Sequence, residues 1–297
     1  MKTCFSRHIT ALIFTTHESF IDIYEIMRNT CNIVGIVVPA NRKNTEKLAR
    51  VIEKCKCNDI QVFEHPYRND MFEFNQFISS QGINFGVSWS YSQIIQPETL
   101  SLFKYGIWNM HGGKIPEYRG ANVLQWAIIN GEDEIGVTWH MMDTEIDAGD
   151  ILYESTVAIR NEDDAITVRE KIFKEGIFGF SVIWGKFLEK KIETKKVRIP
   201  FNIPVYKPRK PIDGLITHEF SKKKVENLLR AQCDPWPSPL IYYNGIVYHV
   251  LGFAQNDNEE NTLQYQLFDG IVLLKTMKCV DQQLVESITA MFGDKLI

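Results

Sequence analysis

The chain has 297 residues, 44% hydrophobic and 24% charged. These are ordinary globular values that argue against a disordered or fibrous chain and give a prior of about two domains. Lys and Arg number 33 against 37 Asp and Glu, a net charge of −4 that argues against a dedicated nucleic-acid binder.

Near the start, Ile9–Phe14 is an apolar run followed by Thr15, Thr16, His17 and Glu18, with no small-residue cleavage site; it reads as a buried strand and not a signal peptide. No apolar run approaches the roughly 18 residues that span a bilayer. Helical spacing of Phe20, Ile23, Tyr24, Ile26 and Met27 predicts a helix over 18–28. A β-branched run over 32–38 predicts a second strand, 45–56 a second helix, and 60–63 a short strand. A helix over 70–81 and a strand over 83–88 follow. The order continues with a strand over 106–110, a helix over 121–130, strands near 136–142 and 151–159, and a long helix over 165–189 that starts after Glu162, Asp163 and Asp164. Alternation of this kind implies an open, mostly parallel, Rossmann-like α/β sheet with helices on both faces.

The pattern then changes. Pro200, Pro204, Pro208 and Pro211 predict an extended linker. Beyond it come a helix over 222–231 and two hairpins, one turning at Asn244-Gly245 and one at Asp269-Gly270. The expectation is a catalytic domain over 1–205 and a smaller β-rich, OB-like domain over 206–297, a partly open barrel. The six cysteines, Cys4, Cys31, Cys55, Cys57, Cys233 and Cys279, have no zinc spacing and read as reduced thiols of a cytoplasmic protein.

One stretch carries chemistry: Trp108-Asn109-Met110-His111-Gly112-Gly113-Lys114-Ile115-Pro116-Glu117-Tyr118-Arg119-Gly120. Asn109 and His111 are two apart at a strand end, so both side chains point the same way. A polar loop follows, Asp143 to Asp150. A carboxamide that donates to a developing oxyanion, an imidazole that moves a proton and a carboxylate that orients it suit acyl transfer. By spacing alone, the other reading is a polar turn with a structural histidine.

Asn109-x-His111, Pro116-x-Tyr118-Arg119-Gly120 and Asp147-Ala148-Gly149-Asp150 closely resemble the signature of the 10-formyltetrahydrofolate-dependent formyltransferases, the sugar nucleotide N-formyltransferases most of all. Gln125–Glu132, Gly136-Val137-Thr138, Pro208–Gly214 and Pro235-Trp236-Pro237 carry the likeness further. The resemblance implies that Asn109, His111 and Asp147 are catalytic. Asn109 and His111 would meet the oxygen of the tetrahedral intermediate, His111 would carry the proton, and Asp147 would hold His111 and help a water move protons. It further implies that main-chain groups of Gln93, Ile94 and Ile95, and of the loop Asp143, Thr144, Glu145, Ile146 and Asp147, bind the 10-formyltetrahydrofolate co-substrate. No metal is expected. The implied acceptor is the primary amine of a nucleotide-linked amino sugar, with a dTDP-linked amino-dideoxyhexose favoured, for surface polysaccharide (lipopolysaccharide O-antigen) biosynthesis. Neither nucleic acid nor membrane is an expected partner, and a homodimer is compatible with the family. The alternative is a methionyl-tRNA formyltransferase. A folate-binding protein without turnover is weakened by the presence of all three catalytic residue types. Lys114 departs from the apolar residue common in that loop.

Four further readings stay open in the sequence. Arg119 either positions the loop or binds a phosphate. Trp126 packs in a core or stacks on a ligand, and His17 lies at the surface or touches ligand. The lysines and arginines of 190–210 are solvated or meet an RNA backbone.

Overall fold

The structure is a computed structural model and describes residues 8–40, 45–67 and 71–292; Cys4 and the start of the helix expected from Asp70 lie outside them. In chain order the elements are β1 (Thr10–Thr15), α1 (Phe20–Met27), β2 (Asn32–Pro39), α2 (Glu46–Cys57), β3 (Val62–His65), α3 (Met71–Ser80), β4 (Phe85–Trp89) and α4 (Pro97–Leu100). Then come β5 (Ile107–His111), β6 (Arg119–Gly120), α5 (Val123–Asn130), β7 (Glu134–Met141), β8 (Ile151–Ala158), α6 (Ala165–Leu188) and β9 (Val205–Tyr206). The last elements are a 3-10 turn (Pro211–Gly214), α7 (Lys222–Ala231), β10 (Leu240–Tyr243), β11 (Ile246–Phe253), β12 (Thr262–Leu267), β13 (Gly270–Lys278) and α8 (Gln282–Phe292).

The described residues cluster into two compact units. One comprises the chain up to Arg119, Gly136–Thr156 and Ile172–Val205; the other comprises Gly120–Ile135, Val157–Lys171 and the chain from Tyr206 onward.

The first unit is built on a seven-stranded sheet of order β3-β2-β1-β4-β5-β7-β8. Strands β3 to β5 run parallel, as the alternating pattern predicts, and β4 is buried at every residue. The chain then reverses, because β7 pairs antiparallel with β5. The two strands share a strict alternation. Trp108, Met110 and Trp139 are buried on one face, where Trp108 and Trp139 pack on Phe180 of α6 and Trp108 also on Trp184 and Phe187. The intervening residues are polar and point the other way. No helix among the described residues is long and apolar enough to cross a membrane.

In the second unit, α5 packs on α7, whose Ser221 cap accepts from Lys224 N at 3.2 Å. The acidic start expected for α6 holds: Asp164 accepts from the Thr167 amide at 2.8 Å. The Arg209 guanidinium lies 4.4 Å from the Trp126 ring centre, so that indole face carries a cation. Strands β10 to β13 form one antiparallel sheet of order β10-β11-β13-β12. Helix α8, unanticipated in the sequence, contributes Ile288 to a core with Leu240, Val247 and Cys279. Asn244 and Gly245 both have positive φ, as a type I′ turn requires. The second hairpin differs: Leu267 pairs with Gly270, so its turn residues are Phe268 and Asp269, neither at positive φ.

Candidate active site

The site is assembled on the polar face of the β5–β7 pair. Asn109 stands directly opposite His140, and His111 opposite Thr138. Residues opposed in an antiparallel ladder share a face, so four polar side chains form a two-by-two block. Thr138 donates to the Gly113 carbonyl at 2.8 Å. His140 is 1% exposed, and its Nδ1 lies 2.9 Å from the Met141 carbonyl. Asn109 Nδ2 lies 3.1 Å from His140 Nε2.

The carboxylate comes from the loop after β7. Met141 pairs with Trp108, so this loop leaves beside the amino end of β5 and folds back across the sheet. Asp147 Oδ2 reaches 3.4 Å from His111 Nδ1, and its Oδ1 lies 3.4 Å from His140 Nε2. The site is therefore a carboxylate laid over a sheet face, and not a set of neighbouring strand ends. His111 Nε2–H donates to the Tyr118 carbonyl, so both ring nitrogens face acceptors.

Two glycines permit this geometry. A Cβ on Gly149 would lie 1.7 Å from the Met141 carbonyl oxygen, where the loop returns so that Met141 N donates to the Asp150 carbonyl at 2.9 Å. A Cβ on Gly113 would lie 2.6 Å from His111 Nε2. Arg119, 1% exposed, fastens the loop: Nε donates to the Ile146 carbonyl and Nη2 to Glu145 Oε1, each at 2.8 Å. Of its two open readings, loop positioning is the one this geometry carries.

The remaining residues expected to bind co-substrate fall on two segments. Gln93 Nε2 donates to the Pro66 carbonyl, and its buried Oε1 has no hydrogen-bond partner among the described residues. Ile94 is exposed, whereas the Ile95 side chain is core, packed with Phe14, Phe103 and Ile107. Met142, at the root of the other loop, packs on that same cluster. In the loop, Asp143 Oδ1 accepts from the Thr144 amide at 2.6 Å, Glu145 and the Ile146 carbonyl are held by Arg119, and the Ile146 side chain is exposed. Exposed isoleucines on both segments suit the faces of a flat heterocycle.

The family model described as formyl transferase matches residues 7–181. The chain belongs to the formyl transferase family. Among curated proteins it is 28% identical over 234 residues to the bifunctional polymyxin resistance protein ArnA of Wigglesworthia glossinidia brevipalpis, which covers 78% of this chain but 36% of ArnA. It is 30% identical over 232 residues to the methionyl-tRNA formyltransferase of Pelotomaculum thermopropionicum, covering 76% of this chain and 71% of that one. Among solved structures, the sugar 3N-formyltransferase WlaRD superposes with a TM-score of 0.66 at 20% identity, covering 93% of this chain and 99% of that one. A 4-N-formyltransferase from Francisella tularensis gives 0.65 at 18% identity, covering 80% and 94%. These structural likenesses establish the formyl transferase fold.

His140 is the site residue of this formyl transferase that sequence reasoning missed. The signal was present: Thr138-Trp139-His140-Met141 repeats the polar–apolar alternation of Trp108-Asn109-Met110-His111. What the sequence lacks is the antiparallel register that sets the two runs face to face.

Proposed function

We propose that this chain transfers the formyl group of 10-formyltetrahydrofolate to the primary amine of a nucleotide-linked amino sugar. The observation that carries the reading is the convergence of Asn109, His111 and Asp147 on one sheet face, with Asp147 Oδ2 3.4 Å from His111 Nδ1. Residues 93–95 and 143–147 would hold the folate, which supplies an activated formyl carbon. The amine forms the new C–N bond as the bond to folate N10 breaks, and one proton passes from the amine to N10. Asn109 donates an N–H to the formyl oxygen as charge grows on it. His111 does the same by redirecting its Nε2–H from the Tyr118 carbonyl, while Asp147 holds the ring. In this reading residues 1–205 form the catalytic domain, and residues 206–297 the smaller one.

The acceptor class rests on the fold neighbours. WlaRD was solved with dTDP and 5-N-formyl-tetrahydrofolate, and the Helicobacter canadensis N-formyltransferase with folinic acid and dTDP-3-aminofucose. Charge points the same way. The net charge is −4, and three lysines of the basic run face carboxylates: Lys191 with Glu189, Lys195 with Glu154 and Lys196 with Asp150. A dTDP-amino-dideoxyhexose on the way to a surface polysaccharide, handled by a cytoplasmic homodimer, completes the proposal.

The second reading, formylation of methionyl-tRNA, is favoured by the 30% identity to the Pelotomaculum enzyme. The test incubates the chain with 10-formyltetrahydrofolate and, separately, dTDP-3-amino and dTDP-4-amino dideoxyhexoses, UDP-linked amino sugars and methionyl-tRNA. Formylation of a nucleotide sugar is the expected result. Formylation of the tRNA alone would replace this reading with the second.

A further inference from the structure

We propose that His140 is a positioning residue that sets the orientation of the Asn109 carboxamide, so that Asn109 presents an N–H, and not its carbonyl, to the reacting oxygen. The inference rests on the formyl-transfer reading and adds a residue to it.

The argument starts from the proton on His140. Its Nδ1 lies 2.9 Å from the Met141 carbonyl, a group that only accepts, so Nδ1 carries a hydrogen. A neutral ring then has a bare lone pair on Nε2. That lone pair lies 3.1 Å from Asn109 Nδ2, within hydrogen-bond range, and accepts one of its N–H bonds. Asp147 Oδ1, 3.4 Å from the same nitrogen, is a carboxylate oxygen with no hydrogen to give, so Asn109 is the group from which that lone pair accepts. The titratable groups facing His140 are Asp147 and His111, the latter with ring centres 6.5 Å apart.

A primary carboxamide has two N–H donors and one carbonyl. Once one N–H is committed to His140, the side chain cannot turn over without setting its carbonyl against the Nε2 lone pair. The second N–H is thereby aimed, and no reorganisation is needed as charge develops on the substrate oxygen. A doubly protonated His140 would demand the opposite: Nε2–H would seek the Asn109 carbonyl or Asp147, and the amide would turn. His140 is 1% exposed, so water does not substitute for either arrangement.

The test is a double-mutant cycle with the full chain, 10-formyltetrahydrofolate and the acceptor found active. His140→Leu and Asn109→Ala should each lower kcat about 10²-fold with KM little changed. The double variant should be no more than about threefold slower than Asn109→Ala alone, because His140 acts through Asn109. His140→Gln, whose carbonyl accepts from Asn109, should recover at least about tenfold over His140→Leu. Losses that multiply, or wild-type kcat in His140→Leu, would overturn the proposal. A second readout needs no turnover. Nitrogen-15 spectra of histidine-labelled protein at pH 7.5 should show His140 with Nδ1 protonated and Nε2 bare, and Asn109→Ala should move the Nε2 resonance. A protonated Nε2 in the wild type overturns the inference even if the enzyme is active. Absence of turnover with every acceptor, alongside the expected spectrum, would sink the functional reading and leave the Asn109–His140 orientation standing.

Discussion

Asp147 lies 3.4 Å from His111, although the chain reaches the two residues from opposite ends of the β5–β7 pair. The contact exists because the loop after β7 doubles back over the sheet. Its role is catalytic in the proposed reading, since neither group is required to hold the acceptor's nucleotide. His111→Ala and Asp147→Asn should each lower kcat by roughly 10²–10³-fold, the usual cost of losing one transition-state donor. Acceptor affinity, measured by calorimetry, should stay near wild type. Wild-type turnover in His111→Ala would remove the assignment.

Gly149→Ala tests the loop's return. Its Cβ would meet the Met141 carbonyl at 1.7 Å, a backbone atom that cannot swing aside. The loop must shift, and Asp147, two residues away, must shift with it. A misplacement of about 1 Å near a reacting centre can cost about 10²-fold, so kcat should fall by that order while far-ultraviolet circular dichroism stays native. Unchanged kcat would show that Asp147 tolerates a displaced loop.

Arg119→Lys tests the clamp. The guanidinium serves the Ile146 carbonyl and Glu145 Oε1 in a geometry a single ammonium cannot reproduce. Glu145 is largely exposed, so the stability loss should come mainly from the bonds to the Ile146 carbonyl, about 2 kcal/mol by urea unfolding. A kcat loss of about tenfold should accompany it. A stability loss with no change in kcat would mean that the loop keeps Asp147 in place without the fork.

His65 gives a pH signature unrelated to turnover. It is fully buried at the end of β3, with Nδ1 2.8 Å from the Tyr91 hydroxyl, and burial pulls it down to about 4. In the unfolded chain its pKa is about 6.5. Between those values the unfolded state takes up a proton that the folded state refuses, so its stability contribution, complete above pH 6.5, is lost as pH falls toward 4. The linkage amounts to about 2.5 kcal/mol by pH 4.5. Urea unfolding at pH 7.5 and pH 4.5 should show a drop that is smaller by about that amount in His65→Phe. Equal drops in both proteins would mean that His65 is protonated in the native state.

The sequence by itself determined the alternating elements, because central parallel strands buried on both faces read as near-continuous apolar runs: 11–14 is one, and 85–89 is broken only by Ser88. Its resemblance to the formyltransferase signature pointed to Asn109, His111 and Asp147, and the Asn244-Gly245 turn was legible through its need for positive φ. Tertiary structure alone decided the rest. Whether the run ending at Met141 pairs parallel or antiparallel with β5 is a choice between long-range partners that no local pattern encodes. That choice set His140 opposite Asn109 and sent the Asp147 loop back across the sheet. Arg119 became a clamp for the same reason: a guanidinium takes its role from the carbonyls that folding brings to it, and Ile146 is distant in the chain. Helix α8 escaped the sequence reading although a local start signal was present, since Asp281 accepts from the Leu284 amide at 3.0 Å; what only the fold shows is Ile288 reaching a core formed with Leu240 and Val247.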